Sequence, residues 1–386
     1  METIKKSNQN FKIALLIDEY FGALGTGYGG YGFLARRLVA KYLNNANIQV
    51  DILLKTTSRK FGMFAKKHII DNINVYEIPK KKWFAQRWLK NQKYDAYLSI
   101  EVTFDLPLIL DDKKIIFWIQ DPRPLSDWEE IETVKLFPET NYYNQEQYDR
   151  IHNLYKDGRI IFASQAYFLN EKAKELYQLG NDVEITYLPN PIEIDEEFNL
   201  DSHVKKDMII FLGRIESVKR GWLFCEIAKA CPEYDFYMLG QTFYDAKRNS
   251  EILEKYKNIP NLHFVGHVDG DIKAQFLKDA KILVNTSIHE ALPISFLEAL
   301  SYGTLLVSNQ NPENLTEKFG IYTGKVLGDG YESLELYVSA IKKIMVNEDN
   351  RITLAKKGIE YIKEVHNIPK FINDITAIIS KNKKEV

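Results

Sequence analysis

The sequence predicts an α/β protein made of two doubly wound domains. Three observations predict it. Short apolar runs alternate with longer stretches whose apolar residues recur at helical spacing. The short runs are apolar throughout, as strands are when helices cover both faces of a parallel sheet. The rhythm breaks once, at Tyr187–Asn199 (YLPNPIEIDEEFN), and then starts again. A strand–helix repeat with one such interruption reads as two doubly wound sheets in tandem.

Taken in order, Phe11–Asp18 (FKIALLID) has strand character, and Gly22–Gly32 is rich in glycine. Phe33–Leu43 (FLARRLVAKYL) places its apolar residues one helical turn apart. Val50–Leu54, Val75–Ile78, Ala96–Ile100, Ile115–Ile119 and Arg159–Ala163 are further strands. Beyond the interruption come Met208–Leu212, Phe236–Leu239, Leu262–Val265, Ile282–Asn285 and Thr304–Val307, with Gly221–Ala230 the first helix between them. Leu334–Lys384 is almost wholly helical in pattern. The expected domains are 1–195 and 196–365. Residues 366–386 are expected as a helix packing back toward the first. A cleft between the carboxyl ends of two such sheets is the default ligand site.

Composition narrows the function. The chain has 386 residues, enough for two to three domains at roughly 150 each. A formal net charge of −2 gives no electrostatic reason to expect nucleic acid. The longest apolar runs, Ile13–Ile17 and Ile115–Ile119, fall far short of the ~18 residues a membrane span needs. METIKKSNQN at the N-terminus lacks the apolar core of a secretory signal. Cys225 and Cys231 have neither zinc-site nor CxxC spacing and read as two buried free thiols.

Gly25-Thr-Gly27-Tyr-Gly29-Gly30 satisfies the dinucleotide fingerprint, and Asp51 follows about twenty residues on. The placement argues against NAD, because six residues separate Asp18 from Gly25 and Asp51 opens an apolar strand instead of closing one. The loop reads better as a flexible lead into a helix N-terminus, where backbone amides favour phosphate or an anionic leaving group. The alternative is a mobile surface loop.

The densest chemistry lies in the second half. Gly213-Arg214-x4-Lys219-Arg220 follows a strand and precedes a helix, so its cations can face a diphosphate. Glu290-Ala-Leu292-Pro293-Ile294-Ser295-Phe296-Leu-Glu298 opens another helix, with Pro293 in the first turn. The free amides of Ile294, Ser295 and Phe296 would point at an anion. The carboxylates of Glu290 and Glu298 would accept from hydroxyls, since beside a diphosphate they would repel it.

On these residues the chain resembles the retaining glycosyltransferases of family 4, which have the GT-B fold. Glu290-x7-Glu298 preceded by Gly213-Arg214-x4-Lys219 carries the resemblance. Tyr187-Leu-Pro189-Asn190-Pro191 is similar to the turn opening the family's second domain, although Pro191 stands where relatives usually have glycine. Gly266-His267-Val268 is similar to its nucleobase loop, and Gly25–Gly30 stands where it has an N-terminal glycine loop. The resemblance implies two Rossmann-like domains facing each other across a cleft, 1–195 binding the acceptor and 196–365 the nucleotide-sugar, with C-terminal helices crossing back. It implies a nucleotide-diphospho-sugar donor, UDP- or GDP-linked, and no cofactor or metal. Arg214 and Lys219 would neutralise the diphosphate, Glu298 would hold the ribose and Glu290 the donor sugar. Gly29, Gly30, Gly213, Gly266, His267, Val268, Leu292, Ile294 and Ser295 complete the implied donor site. Asp121, at the end of the strand Ile115–Ile119, stands where many relatives place a His or Asp near the reacting carbon; alternatively it caps the turn before Pro122. Arg123 would pair with Asp121 or meet an anionic acceptor.

Other signals are weaker. Asp269-Gly-Asp271 matches DxD, but Asp271 suits an N-cap. His289 reads equally as a donor contact or a structural residue. Lys80-Lys-Lys82-Trp83-Phe84-x-x-Arg87-Trp88-x-Lys90 has the composition of an interfacial helix, or of a solvated face whose rings pack inward. Tyr142, Tyr143 and Tyr148 would line an acceptor sugar or pack in a helix. The reading is therefore a hexosyltransferase acting on a glycan or lipid-linked acceptor, cytoplasmic or peripheral on the inner face of the membrane. A GT-B sugar-nucleotide epimerase, a catalytically idle sugar-nucleotide-binding homologue and a nicotinamide oxidoreductase are the alternatives.

Overall fold

A computed structural model describes residues 11–46, 48–54, 62–101, 114–242 and 246–384. The N-terminal decapeptide, read above for a signal, lies outside these residues. The described chain forms two α/β units. The first comprises residues 1–122, 144–191 and 367–386, and the second comprises 123–143 and 192–366.

In the first unit eight strands run in the order β3-β4-β2-β1-β5-β6-β7-β8. They are β1 (Phe11–Ile17), β2 (Ile48–Leu54), β3 (Lys66–Ile70), β4 (Ile73–Glu77), β5 (Ala96–Ser99), β6 (Ile115–Ile119), β7 (Ile160–Ser164) and β8 (Ile185–Tyr187). All neighbours are parallel except β3 and β4. β6 is buried along its whole length, which explains its unbroken apolar run. Trp118 on β6 donates its indole N–H to Leu188 O at 2.8 Å. Its ring stacks on Phe371 of the C-terminal helix Ile368–Lys384, with centroids 5.4 Å apart. The last helix thus crosses back to the first unit.

In the second unit six parallel strands run in the order β11-β10-β9-β12-β13-β14. They are β9 (Lys206–Leu212), β10 (Asp235–Leu239), β11 (Leu262–Gly266), β12 (Ala280–Asn285), β13 (Leu305–Ser308) and β14 (Gly320–Tyr322). The edge strands β3, β8 and β14 do not stand out in the sequence. β3 is Lys-Lys-His-Ile-Ile, largely exposed, and β8 and β14 have three residues each.

The segment 123–143 leaves β6 through Pro122-Arg-Pro124 and joins the second unit, not the first. Its helix Leu125–Ile131 and the turn after it place Trp128, Ile131, Val134 and Phe137 in the same apolar cluster as Trp222, Phe224 and Ile341. Polar contacts fasten it further. Asp329 Oδ1 accepts the N–H groups of Lys135 and Leu136, both at 2.9 Å, and Thr133 Oγ1 accepts the Gly328 N–H at 2.8 Å. A domain boundary drawn only at residue 195 misses this excursion, because its apolar spacing reads the same whichever core receives it.

Gly240 is a tight point of the second unit. A Cβ there would lie 1.9 Å from Gly213 O, and its φ of +156° is at the edge of what side chains adopt. Backbone must give way to admit even a methyl group. Gly240→Ala is therefore expected to destabilise the protein by about 2–4 kcal/mol, read as a lowered urea midpoint.

Candidate functional site

Glu290 is the centre of the second unit's polar cluster. It lies in the loop between β12 and the helix Ile294–Ser301. Lys219 Nζ donates to its Oε1 at 2.6 Å, Ser287 Oγ at 2.6 Å and Asn285 Nδ2 at 2.9 Å. Burial alone would raise this carboxyl, but the Lys219 ammonium and these hydrogen bonds hold it below the usual carboxylate range. All three donors converge on Oε1, and none among the described residues reaches Oε2.

The two loops that meet here are stitched together. Ile288 N–H donates to Val218 O at 2.8 Å, and Thr286 Oγ1 to Lys219 O at 2.7 Å. Arg220 supplies the rest. It is fully buried and left-handed, with φ 45°. Its guanidinium donates to the carbonyls of Thr286, Ser287, Val326 and Gly328. Arg220 was grouped by sequence with the cations facing a diphosphate; instead it is a structural clamp. A guanidinium, which carries five donors, can satisfy this many carbonyls in a dry loop.

Arg214 is one-third exposed, with Nε 3.3 Å from Glu216 Oε1. Glu139, from the 123–143 segment, stands beside it. Burial and the Glu216 charge push the Glu139 carboxyl up, while Arg123 and Arg214 pull it down. Arg123 also lies over the Trp128 ring, 5.4 Å from its centroid. Arg214 thus keeps an exposed face while acids hold its inner side.

Glu298 sits one turn into the helix Ile294–Ser301 and meets Lys273 Nζ at 2.7 Å. Lys273 comes from the helix Gly270–Asp279, so no local spacing could have paired them. Asp269, not Asp271, occupies that helix's N-cap position, because the chain turns helical at Gly270. Pro293 likewise caps the helix Ile294–Ser301 from just outside it. The Phe296 N–H is taken by Pro293 O at 3.0 Å, which removes it from the expected amide trio. The N–H groups of Ile294 and Ser295 have no partner among the described residues. Leu292 is buried. Gly266 ends β11 at φ +85° and accepts the Gly240 N–H at 2.8 Å; His267 and Val268 follow it. Gly213 donates its N–H to Leu239 O at 3.1 Å. His289 is buried with Nδ1 3.8 Å from Asp127 Oδ2, a partner on the 123–143 segment that its own neighbourhood did not reveal.

Comparison with known proteins follows from this geometry. Residues 193–364 match the model of the family described as glycosyl transferases group 1. No curated protein matches the chain in sequence. Among solved structures, sucrose-phosphate synthase from Thermosynechococcus elongatus matches at a TM-score of 0.70 and 14% identity, covering 97% of this chain and 100% of that one. Anabaena HepE in complex with UDP-glucose matches at 0.68 and 13%, covering 96% and 100%. The pneumococcal O-GlcNAc transferase GtfA in complex with UDP and GlcNAc matches at 0.68 and 11%, covering 97% and 99%. The fold is GT-B.

The first unit of this GT-B chain carries the remaining expected residues. Asp121 follows the last residues of β6, as its sequence position indicated, and its N–H donates to the Glu101 carboxylate. The glycine loop differs from expectation. A helix opens at Gly30, but Glu19 Oε1 accepts the Gly32 N–H at 3.0 Å. A Cβ on Gly29 would fall 2.0 Å from the same carboxylate. An internal anion thus already lies at the amides that were to hold phosphate, while Gly30 stays open. Asp51 is fully buried and accepts from Tyr94 Oη at 3.1 Å and Asn74 Nδ2 at 2.8 Å. It is a core residue and not a ribose ligand, which removes the one acid the dinucleotide fingerprint needed. Tyr148 packs edge-on against Tyr177, and in the second unit Tyr142 does so against Trp128.

Proposed function

We propose that the protein is a retaining glycosyltransferase that moves a hexose from a nucleotide-diphospho-sugar to a glycan or glycolipid acceptor. The observation that carries this reading is the one-sided hydrogen bonding of Glu290. Its Oε1 is saturated by Lys219, Ser287 and Asn285, and its Oε2 is left for a sugar hydroxyl. Glu298, held by Lys273, is the matching acceptor for ribose hydroxyls. The amides of Ile294 and Ser295, with Arg214 and Lys219, face the diphosphate and supply there the positive charge that a divalent ion supplies in other transferases. The base lies against Gly266, His267 and Val268.

In this reading the bond from the anomeric carbon to the phosphate oxygen breaks as the acceptor oxygen attacks from the same face. The leaving phosphate oxygen takes the acceptor's proton, so no fixed nucleophile is needed. Asp121 accepts from a donor-sugar hydroxyl or steadies the positive charge that develops on the ring. Two of the similar structures hold UDP with a sugar or as UDP-glucose, which puts UDP-linked hexoses first in the panel to be tried. The test is release of nucleoside diphosphate from a panel of UDP-, GDP- and ADP-sugars, with NMR of the glycoside formed. A product with the donor's anomeric configuration supports the reading. An inverted product, or thermal stabilisation by NAD alone, overturns it, and an isomerised sugar nucleotide formed without acceptor favours the epimerase.

A lipid-linked acceptor is supported by one surface of the first unit. In the helix Lys82–Gln92, Ala85 and Leu89 are buried and Trp88 packs on Tyr76 at 5.0 Å, whereas Trp83 is 60% exposed with Arg87 stacked over it. Met63 and Phe64 are also exposed, next to Gly62, whose carbonyl accepts the Lys80 N–H at 2.9 Å. Apolar tips among Lys80, Lys81 and Lys82 suit an anionic lipid surface. Among the described residues no helix is long and apolar enough to cross a membrane. The protein is expected to co-float with vesicles containing anionic phospholipid, and Trp83→Ala with Phe64→Ala to lower that binding at least about tenfold.

A further inference from the structure

In the first unit, backbone and side chains from three elements converge on one carboxylate that no motif singles out. Glu101 follows β5 in left-handed backbone, φ 49°. Its Oε2 accepts the N–H of Gln120 at 2.8 Å and, in a shorter contact, the N–H of Asp121. The Tyr31 hydroxyl reaches the same oxygen at 3.4 Å. Its Oε1 accepts the Tyr177 hydroxyl at 2.7 Å. Gln120 and Asp121 form the turn after β6, Tyr31 lies in the helix opened by the glycine loop, and Tyr177 follows the helix Leu169–Leu176. A second layer holds the same turn, because Gln165 Nε2 donates to Gln120 O at 2.6 Å and Asn190 Nδ2 bridges the side chains of Gln120 and Gln165.

Four donors reach the Glu101 carboxylate, two backbone N–H groups and two tyrosine hydroxyls. The two backbone N–H groups can only donate, so Oε2 cannot carry a proton without losing them, and a proton on Oε1 would have to turn the Tyr177 hydroxyl from donor to acceptor. A glutamate kept in left-handed backbone points the same way, since such a conformation persists where the surroundings over-determine it.

We propose that Glu101 is a positioning residue for sugar transfer: its carboxylate fixes the turn that carries Asp121 and ties that turn to the glycine-loop helix. This rests on the glycosyltransferase reading above and on the part Asp121 has in it.

The titratable groups facing Glu101 among the described residues are the Asp121 carboxyl and the phenols of Tyr177 and Tyr31, with Tyr148 behind Tyr177. Burial, with the Asp121 charge added, outweighs the donors and pushes the Glu101 carboxyl up to about 7. Two opposite consequences follow. Above pH 7 the charged carboxylate holds the turn; below it, a proton on Oε1 reverses the Tyr177 hydrogen bond and leaves Oε2 a neutral, weaker acceptor for the Gln120 and Asp121 N–H groups, so the turn loosens. Stability runs the other way. A carboxyl that binds its proton more tightly when folded than when unfolded favours the fold at low pH. That contribution is lost as pH rises from the ordinary carboxyl value of 4.5 through about 7. A residue with a merely structural role would move activity and stability together.

The experiment uses the full chain and the best sugar nucleotide from the panel. In the wild type, kcat is expected to rise through an inflection near pH 7 while the urea midpoint falls between about pH 5 and 7. Glu101→Gln is expected to remove both slopes and to lower kcat about 10- to 100-fold with donor KM changed less than about twofold. Tyr177→Phe, which keeps the ring and removes one donor that lowers the Glu101 value, is expected to move the activity inflection to higher pH; it serves alone if the glutamine variant does not fold. An active wild type whose pH profile is unmoved by Glu101→Gln, or by Tyr177→Phe, overturns this proposal only. A wild type that transfers sugar from no nucleotide at any pH overturns the function reading and this proposal with it.

Discussion

Arg214→Ala is expected to lower turnover by about 100- to 1000-fold, the scale of losing one charge contact made to a leaving group in the transition state. Arg214 lies outside the apolar core. It is one-third exposed and its Nε is 3.3 Å from Glu216, so its removal leaves the fold nearly intact. On the proposed reading, what is lost is a planar fork of donors for a leaving diphosphate whose charge grows as the sugar departs. The loss should therefore fall on kcat, with the donor KM changed several-fold at most. Arg214→Lys, which keeps the charge but not the fork, should fall between. The check is steady-state release of nucleoside diphosphate across donor concentrations. Turnover within twofold of wild type would remove Arg214 from the chemistry.

Lys219→Met should damage both activity and fold. Glu290 is held by Lys219 at 2.6 Å, with a side chain 8% exposed. Taking away the cation leaves a nearly buried carboxylate without its counter-charge, a loss on the order of 3 kcal/mol. The pH dependence gives the signature. In the wild type the Glu290 carboxyl is depressed, so its contribution is present above the ordinary carboxylate value and is lost as pH falls. In the variant burial wins, the carboxyl rises, and acidification should restore stability instead of removing it. Urea unfolding at pH 5 and pH 8 measures the reversal. Lys219→Met combined with Glu290→Gln should recover much of the lost stability and none of the activity, since the two substitutions act on one pair. Equal losses at both pH values would show that the ion pair contributes little.

The sequence placed those residues whose positions follow from local order. Arg214 and Lys219 follow a buried strand, and Glu290 and Glu298 flank a helix start, so their positions were legible from the pattern around them. Asp121 was legible because β6 is apolar throughout and its end is abrupt. The partners were not legible. Lys273 reaches Glu298 from a neighbouring helix, Asp127 reaches His289 from a distant segment, and Asn285 and Ser287 become visible only once Glu290 turns back over them. Arg220 was misread because a cation beside two others in sequence gives no hint that its backbone turns left-handed and drives it inward. Glu19 was overlooked for a related reason. A glycine loop suggests an empty cradle, and only the folded loop brings this acid against Gly29. The edge strands were missed because a strand bonded on one side needs neither length nor apolar character.

The chain passes between its two units four times, at residues 122–123, 143–144, 191–192 and 366–367. Cutting it near the middle would accordingly fail to yield two self-sufficient halves. A fragment beginning at residue 192 would expose the apolar bed that Trp128, Ile131, Val134 and Phe137 fill. During synthesis the amino-terminal half must wait for the last helix before Trp118 gains its stacking partner. Vectorial assembly from the ribosome, with one half finished before the next emerges, is closed to this topology, and refolding should slow with the long-range closures it demands.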